Sequence, residues 1–227
     1  MHQVKLDDDI VKIALQRRGR LRLFETIEPK KTAHLVIDMQ TGFMTPGAPA
    51  EIAPAASAIP NINRISAACR KAGALNVFIQ NSISEESKQS WSNWFDAFWT
   101  ADKREGMYAT FMVGKPGHAL HRDIQVERGD MHINKFRFGT FVEGSSDLHP
   151  KLQAKGIDTV IITGCATNIC CESTARDAMM MNYRVLFVSD GTATHTDYEH
   201  NSTLNAMMLT FADVVSTDDV VKLLGVS

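Results

Sequence analysis

The sequence predicts an α/β fold with a doubly wound, mostly parallel sheet flanked by helices. Segments with strand and helix patterns alternate along the chain, and the predicted strands are rich in Val and Ile at both odd and even positions. Such strands are typical of a sheet buried on both faces, and helical crossovers between them imply parallel pairing. The 227 residues and 44% apolar content suffice for one core, so we expect a single domain over 1–227.

The first half of the chain contains two predicted strands with a helix between them. An apolar run at 33–40 ends in polar residues and is interpreted as the first strand. Over 59–74, apolar residues recur at helical spacing and Gly73 marks the end of the helix. The run at 76–82 predicts a second buried strand.

The second half repeats this alternation of strands and helices. A capping-box pattern, in which Thr196 and Glu199 can satisfy each other's backbone amides, opens the last predicted helix. The other two helices are predicted at 148–156 and 168–182, and the strands at 131–136, 158–164, 184–190 and 212–217.

Two segments lie outside this alternating pattern. Residues 1–30 form an N-terminal arm, and residues 84–128 are predicted to be a helical insertion or lid followed by a loop rich in Gly and Pro. The insertion carries five aromatic residues at the spacing of one helical face. These residues are Trp91, Trp94, Phe95, Phe98 and Trp99. This face is expected to pack beneath the insertion or against a neighbouring subunit. The alternative is that it forms a lid over a pocket.

The charge distribution excludes several classes of partner. A net charge of −2 provides no broad basic field for nucleic acid or for a membrane surface. The arginine-rich stretch 17–22 is interpreted as a solvated turn after a short N-terminal helix, with a subunit contact or an anion-binding arm as alternatives. The acidic N-terminus does not have the pattern of a signal peptide, and no apolar run approaches ~18 residues. We therefore expect a cytoplasmic protein with reduced thiols.

Polar residues follow several of the predicted strands at the point where each strand ends. They are Asp38, Asn81, Lys135 and the loop 164–168 that leads into a helix. Because ligands of open α/β sheets bind at the carboxyl ends of the strands, we expect these groups to lie around one site.

Three of the four cysteines fall within a stretch of seven residues, 165–171, that begins in that loop. Cys170 and Cys171 are adjacent and lack the paired spacing of a zinc site. Cys69, Cys165 and Cys171 are interpreted as small core residues. Cys170 lies at the predicted start of a helix, where the helix dipole and a nearby Lys135 are expected to lower the thiol pKa below ~8.5.

Three motifs in this order resemble the isochorismatase-like cysteine hydrolases, a superfamily that includes nicotinamidases, N-carbamoylsarcosine amidase, ureidoacrylate amidohydrolase and biuret hydrolase. The motifs are VIDMQTGF at 36–43, NKFRFGTF at 134–141 and ITGCATNICCESTARDA at 162–178. The resemblance extends from about residue 30 to the C-terminus and implies an isochorismatase-like three-layer sandwich.

The resemblance implies a catalytic triad of Asp38, Lys135 and Cys170, with Cys170 as the nucleophile. It also implies a cis peptide bond between Cys165 and Ala166. The backbone amides of Ala166 and Cys170 are then expected to form the oxyanion hole.

Substrate-binding residues are also implied. Phe43 matches an aromatic residue that lines the pocket in related enzymes, and Asn81 offers both donors and acceptors for a urea-like group. Phe138, in the KFRF stretch where the family's ureide hydrolases have polar residues, is also expected to bind substrate. The stretch 80–91 has no histidine where nicotinamidases carry a metal-binding cluster, which argues against a metal and against nicotinamide as substrate.

These residues predict a metal-independent cysteine amidohydrolase without a cofactor, acting on a small ureide or carbamoyl compound such as biuret, triuret, ureidoacrylate or an N-carbamoyl amine. The alternatives are a hydrolase of another small amide or ester, and a non-catalytic binding scaffold on the same fold. The resemblance also implies a homo-oligomer, either a dimer or a tetramer.

Overall fold

The computed structural model describes residues 1–226, so the final position of the predicted domain lies outside the described residues. Its sheet has six strands, all parallel, in the order β3-β2-β1-β4-β5-β6. This confirms the doubly wound α/β fold, because the strand order reverses direction between β1 and β4. The strands are β1 Thr32–Ile37, β2 Leu75–Asn81, β3 Met131–Lys135, β4 Thr159–Cys165, β5 Arg184–Ala193 and β6 Asp213–Val215.

Helices connect the strands and cover both faces of the sheet. None of the helices within residues 1–226 has the length and apolarity needed to cross a membrane. The α-helices are α1 Asp8–Arg18, α2 Thr41–Met44, α3 Ile59–Ala72, α4 Glu85–Ser90, α5 Ser92–Ala97, α6 Ala101–Phe111, α7 Leu148–Ala154, α8 Glu172–Met180, α9 Asp197–Ala206 and α10 Thr217–Leu223. Short 3₁₀ turns lie at Pro29–Lys31, Ala53–Ala58 and Pro116–His118, and π-helical turns at Thr167–Cys171 and Met207–Phe211.

The alternation of side chains along each strand builds two apolar layers. On one face, α7, α8 and α9 pack against residues such as Leu35 and Ile162. On the other face, α3 and α10 pack against residues such as Ile161 and Leu186, and the insertion helices α5 and α6 extend this layer towards the carboxyl edge of the sheet. Both faces are buried, as the doubly apolar strands predict.

The boundaries of several predicted elements differ from the structure. The first strand ends at Ile37 rather than at residue 40, because Asp38 adopts a left-handed conformation with φ 55°. The aromatic stretch 91–99 is not one helix: Trp91, with φ −132° and ψ 33°, separates α4 from α5, and α5 ends at Ala97. A single helical face, inferred from spacing alone, is therefore wrong for this stretch.

The arginine-rich turn after α1 is attached to the C-terminal part of the chain. Arg18 donates to the Met208 carbonyl at 3.0 Å, and Arg22 forms an ion pair with Asp219. The interpretation of this stretch as a purely solvated turn is therefore wrong for these two side chains.

A buried histidine on β1 is held in its neutral form. The amide nitrogen of Asn76 donates to the Ser66 carbonyl at 3.0 Å, so Asn76 Oδ1 is left to accept from His34 Nδ1 at 3.3 Å. His34 Nε2 then accepts from the Thr163 hydroxyl at 2.8 Å. Burial lowers the pKa of His34 to about 3.

This histidine predicts an acid-dependent loss of stability. Between pH 3 and pH 6.5 the unfolded state binds a proton at His34 that the folded state does not, so stability is lost as the pH falls below 6.5. At pH 5 the loss is about 2 kcal/mol. We expect His34→Gln, which cannot titrate, to have a shallower decrease in unfolding free energy between pH 7 and pH 5 than the wild type in urea denaturation. Parallel pH curves for the two proteins would contradict this.

A glycine at position 164 is predicted to be required where β4 packs against the end of β1. Its φ is +117°, and a Cβ built on it would collide with the backbone carbonyl oxygen of Ile37. We expect Gly164→Ala to reduce the free energy of unfolding by more than about 4 kcal/mol, or to prevent folding. Gly114→Ala is the matched control, because Gly114 also has a positive φ but open space around its Cβ position, and its cost should be about 1 kcal/mol. Equal losses for the two variants would mean that conformation, not close approach, sets the cost.

Candidate active site

Three of the predicted site residues meet at the carboxyl edge of the sheet. Asp38 follows β1, Lys135 ends β3, and Cys170 lies in the π-helical turn that follows β4. All three are buried. The strand register accounts for their convergence, because the last residue of β1 pairs with Gly164 of β4 and Asn81 of β2 pairs with Lys135.

The ammonium group of Lys135 lies at the centre of this cluster. Its Nζ is 2.8 Å from Asp38 Oδ2, 3.5 Å from Cys170 Sγ and 3.2 Å from the Arg137 carbonyl oxygen. An ammonium carries three donor protons. Two of them are donated, to the Arg137 carbonyl and the Cys170 sulfur, and the third contact is an ion pair with the Asp38 carboxylate.

The carboxylate of Asp38 is held mainly by charge. Its Oδ2 forms an ion pair with Lys135 at 2.8 Å, and neither carboxylate oxygen has a hydrogen bond of full geometry within residues 1–226. Burial raises the pKa of Asp38, while the Lys135 ammonium opposes this rise. A buried carboxylate with a raised pKa beside a thiol is suited to accept a proton.

The thiol of Cys170 does not have the lowered pKa that its place in the sequence predicts. Burial raises the pKa of Cys170, the Asp38 carboxylate raises it further, and Lys135 only partly compensates. The expectation of a lowered pKa is therefore wrong, because complete burial and a neighbouring anion outweigh the lysine. The raised pKa favours the protonated thiol at Cys170, close to the Asp38 carboxylate.

Hydrogen bonds fix the turn that carries Cys170. The peptide bond between Cys165 and Ala166 is cis, as the resemblance implies. The Ala166 carbonyl accepts from the amides of Ile169 and Cys171, both at 3.2 Å. How the amides of Ala166 and Cys170 would meet an oxyanion stays a prediction.

A buried histidine, His200 on α9, forms a hydrogen bond with the same turn. His200 Nε2 lies 3.0 Å from the Ser189 carbonyl oxygen, which can only accept, so Nε2 carries the proton. Nδ1 is then left to accept from the Thr167 hydroxyl at 2.9 Å. Burial lowers the pKa of His200 to about 4, which keeps this arrangement neutral. Sequence reasoning did not identify His200, which is far from the motifs in the chain.

A cavity of about 240 Å³ opens beside Cys170. It is smaller than the ~300–1,000 Å³ of typical sites for drug-sized ligands, which indicates a small substrate. The predicted Phe43, Asn81 and Phe138 all line it, as does Ala166. Four aromatic residues of the insertion line it too, which favours the pocket interpretation over a subunit contact for these four: Trp91, Trp94, Phe95 and Trp99. The fifth, Phe98, is 72% exposed.

The side chain of Gln40 forms two hydrogen bonds with the backbone of Asn81, a residue of the cavity wall. Gln40 Oε1 accepts from the Asn81 amide at 2.8 Å, and Gln40 Nε2 donates to the Asn81 carbonyl at 3.0 Å. This pairing fixes the Asn81 backbone while its side chain remains on the pocket wall. Sequence reasoning missed Gln40 as a positioning residue.

Two further wall residues were also missed, Glu51 and His195. His195 follows β5, so the strand-end rule that selects Asp38 could have found it had the prediction ended β5 at Ala193 rather than at residue 190. Glu51 lies in a loop after α2, and no sequence pattern marks it.

The remaining cysteines behave as core residues. Cys69, Cys165 and Cys171 are free thiols with no exposed surface. Burial raises the pKa of each of them. Within residues 1–226, no group of three or more His, Cys, Asp or Glu side chains is arranged to hold a metal ion.

Comparison with known proteins gives consistent matches. The model of the isochorismatase domain matches residues 32–219. The ureidoacrylate amidohydrolase RutB of Caulobacter vibrioides is 31% identical over 178 residues, which cover 73% of this chain and 78% of that protein.

Solved structures share the fold. A cysteine hydrolase from Pseudomonas syringae pv. phaseolicola superposes with a TM-score of 0.77 at 20% identity, covering 91% of this chain and 98% of that one. N-carbamoylsarcosine amidase from Thermoplasma acidophilum gives a TM-score of 0.64 at 24% identity, covering 83% and 97%. At these identities the likeness is one of fold alone.

The buried ion pair predicts a large cost for removing Lys135. Lys135→Met keeps a side chain of similar length but leaves the Asp38 charge uncompensated, so we expect a loss of about 3–5 kcal/mol in unfolding free energy. Lys151→Met is the matched control, because Lys151 lies at the same 2.8 Å from Asp147 but both side chains are exposed. That pair should contribute about 0–1 kcal/mol. Similar losses for both variants in denaturant titrations would contradict the role of burial.

Proposed function

The chain belongs to the isochorismatase family, and from this premise we propose that it is a metal-independent cysteine amidohydrolase. We infer that it cleaves a C–N bond of a small ureide or carbamoyl compound through a thioester on Cys170. The observation that carries this proposal is the position of Lys135 Nζ, which lies 2.8 Å from the Asp38 carboxylate and 3.5 Å from the Cys170 sulfur.

The first half of the proposed reaction forms the thioester. Asp38 takes the proton of Cys170, and the resulting thiolate attacks the substrate carbonyl. The negative charge moves from the carboxylate to the sulfur, and Lys135 lies within reach of both atoms. The tetrahedral oxyanion is then received by the amides of Ala166 and Cys170, an interaction typically contributing ~3 kcal/mol. Asp38 returns the proton to the leaving nitrogen, and ammonia or an amine departs.

The second half hydrolyses the thioester. Asp38, again a carboxylate, takes a proton from water, and the hydroxide attacks the thioester carbonyl. The C–S bond breaks, the proton on Asp38 returns to the sulfur, and the site regains its resting charges. One base therefore serves both halves, and no step requires a metal ion.

Two lines of support favour a carbamoyl or ureide substrate. The relative from Caulobacter vibrioides, 31% identical to this chain, is named for ureidoacrylate. The side chain of Asn81, on the wall next to Cys170, offers a donor and an acceptor for a urea-like group. Biuret, triuret, ureidoacrylate and N-carbamoyl amines are therefore the compounds to test first.

The proposal predicts that activity depends on one sulfur atom. We expect wild-type protein to release ammonia from at least one carbamoyl compound in the presence of a chelator, and Cys170→Ala to be about 10⁴-fold slower or inactive. Cys171→Ala is the matched control, because it removes a buried sulfur one residue away and should remain active. Mass spectrometry of rapidly quenched protein should detect the acyl group on Cys170.

The same assay separates the alternatives. Release of ammonia or alcohol only from simple amides or esters would replace the carbamoyl substrate class with another. Loss of activity on chelation would overturn the metal-independent mechanism. A third outcome is that the protein releases no product from any compound of the panel and that Cys170 is alkylated no faster than Cys171 at any pH. These two results together would indicate a non-catalytic binding scaffold.

A further inference from the structure

The cavity beside Cys170 has walls of aromatic rings rather than polar groups. Six of the residues that line it are aromatic: Phe43, Trp91, Trp94, Phe95, Trp99 and Phe138. Most of the remaining wall is aliphatic, and includes Ile83, Met107 and Ile169. Biuret and triuret are compact and polar throughout, so they would leave most of this apolar surface without a matching partner.

The aromatic rings support one another in fixed orientations. Trp91 and Trp94 lie nearly parallel, at 25° with centroids 5.7 Å apart, and Phe138 meets both edge-on, at 4.8 and 4.9 Å. Trp99 meets Trp94 at 87°. Interlocked rings of this kind form flat, pre-organised walls against which another flat ring packs favourably.

The polar side chains on these walls are few: besides Cys170 they are Glu51, Asn81, Ser82 and His195. No lysine or arginine lines the cavity in the part of the chain that the structure describes. The nearby Lys135 is fully buried and paired with Asp38. The carboxylate on the wall is that of Glu51, which accepts from the Gly47 amide at 2.7 Å. A substrate carboxylate would therefore lose its hydration without gaining a lysine or arginine counter-ion, and it would share the cavity with the Glu51 carboxylate.

We propose that the substrate is an uncharged N-carbamoyl amine whose nitrogen carries an aromatic group. This inference rests on the proposed function and narrows its substrate class. The urea carbonyl lies at Cys170, and the aromatic group packs against the wall that Trp94, Trp91 and Phe138 form.

The reaction on such a substrate, R–NH–CO–NH₂, balances without a co-reactant other than water. The sulfur of Cys170 bonds to the carbonyl carbon, the C–NH₂ bond breaks, and the proton held by Asp38 leaves with the ammonia. Water then releases R–NH–COO⁻ from the sulfur, and this carbamate loses CO₂ in solution to give the amine R–NH₂.

Four ureas test separately the effect of an aromatic ring and the effect of a carboxylate on the substrate. Methylurea has neither a ring nor a charge, benzylurea has the ring, N-carbamoylglycine has a carboxylate, and N-carbamoylphenylglycine has both. We expect kcat/KM for ammonia release to be about 100-fold higher for benzylurea than for methylurea, and at least about tenfold lower for each carboxylate than for its uncharged counterpart. A preference for N-carbamoylglycine, or no effect of the ring, would overturn the inference.

Binding can be measured independently of turnover. The protein has three tryptophans, and all of them line this cavity, so intrinsic fluorescence reports on it directly. With Cys170→Ala we expect benzylurea to quench or shift this fluorescence with a Kd about tenfold or more below that of methylurea. Selective binding without turnover in the wild type would overturn the proposed function alone, whereas equal binding of the two ureas would overturn the aromatic substrate.

A variant of the wall completes the test. Trp94→Ala is expected to reduce the ratio of kcat/KM for benzylurea over methylurea by about tenfold, and Trp94→Phe should restore most of it. Tyr198→Ala is the control, because Tyr198 is an aromatic residue that is 82% exposed and does not line the cavity. An unchanged ratio in Trp94→Ala would contradict the inference.

Discussion

The buried contact between Lys135 and Asp38 is the interaction on which the candidate site depends. Taking two charges out of water is costly, and their attraction compensates only when the geometry is good and the remaining donors are satisfied. Lys135 lies 2.8 Å from the Asp38 carboxylate and donates hydrogen bonds to the Arg137 carbonyl and the Cys170 sulfur, which offsets part of this cost. Since the third neighbour is Cys170, the lysine that stabilises the resting carboxylate lies equally ready to stabilise a thiolate.

The sheet holds this contact in place. Asp38, Lys135 and Cys170 follow three different strands, and parallel pairing brings the carboxyl ends of those strands to one edge. The fit between β1 and β4 is so close that position 164 has no room for a Cβ. The side chains of the site are therefore positioned by the packing of the sheet core. Gln40, in the loop after β1, and His200, on α9, add hydrogen bonds that fix the surrounding backbone and turn.

The charged cluster and most of the aromatic cavity wall come from different parts of the chain. The strand ends supply the charged groups and the thiol, whereas the insertion after β2 supplies three tryptophans to the cavity wall. The wall lies outside the hydrogen-bonded sheet and is held by contacts between rings. A fold of this kind can keep one reaction while changing the compounds on which it acts.

The sequence by itself determined the parallel α/β fold, the grouping of the polar residues Asp38, Asn81 and Lys135 at the carboxyl edge of the sheet, and, through three motifs, the residues proposed to react. These follow from local patterns, since apolar periodicity and strand ends can be recognised one segment at a time. The raised pKa of Cys170, the break at Trp91 and the wall position of His195 were decided only by the tertiary structure. Each depends on which distant groups surround a residue, because burial and neighbouring charge are properties of the packed chain and not of a segment.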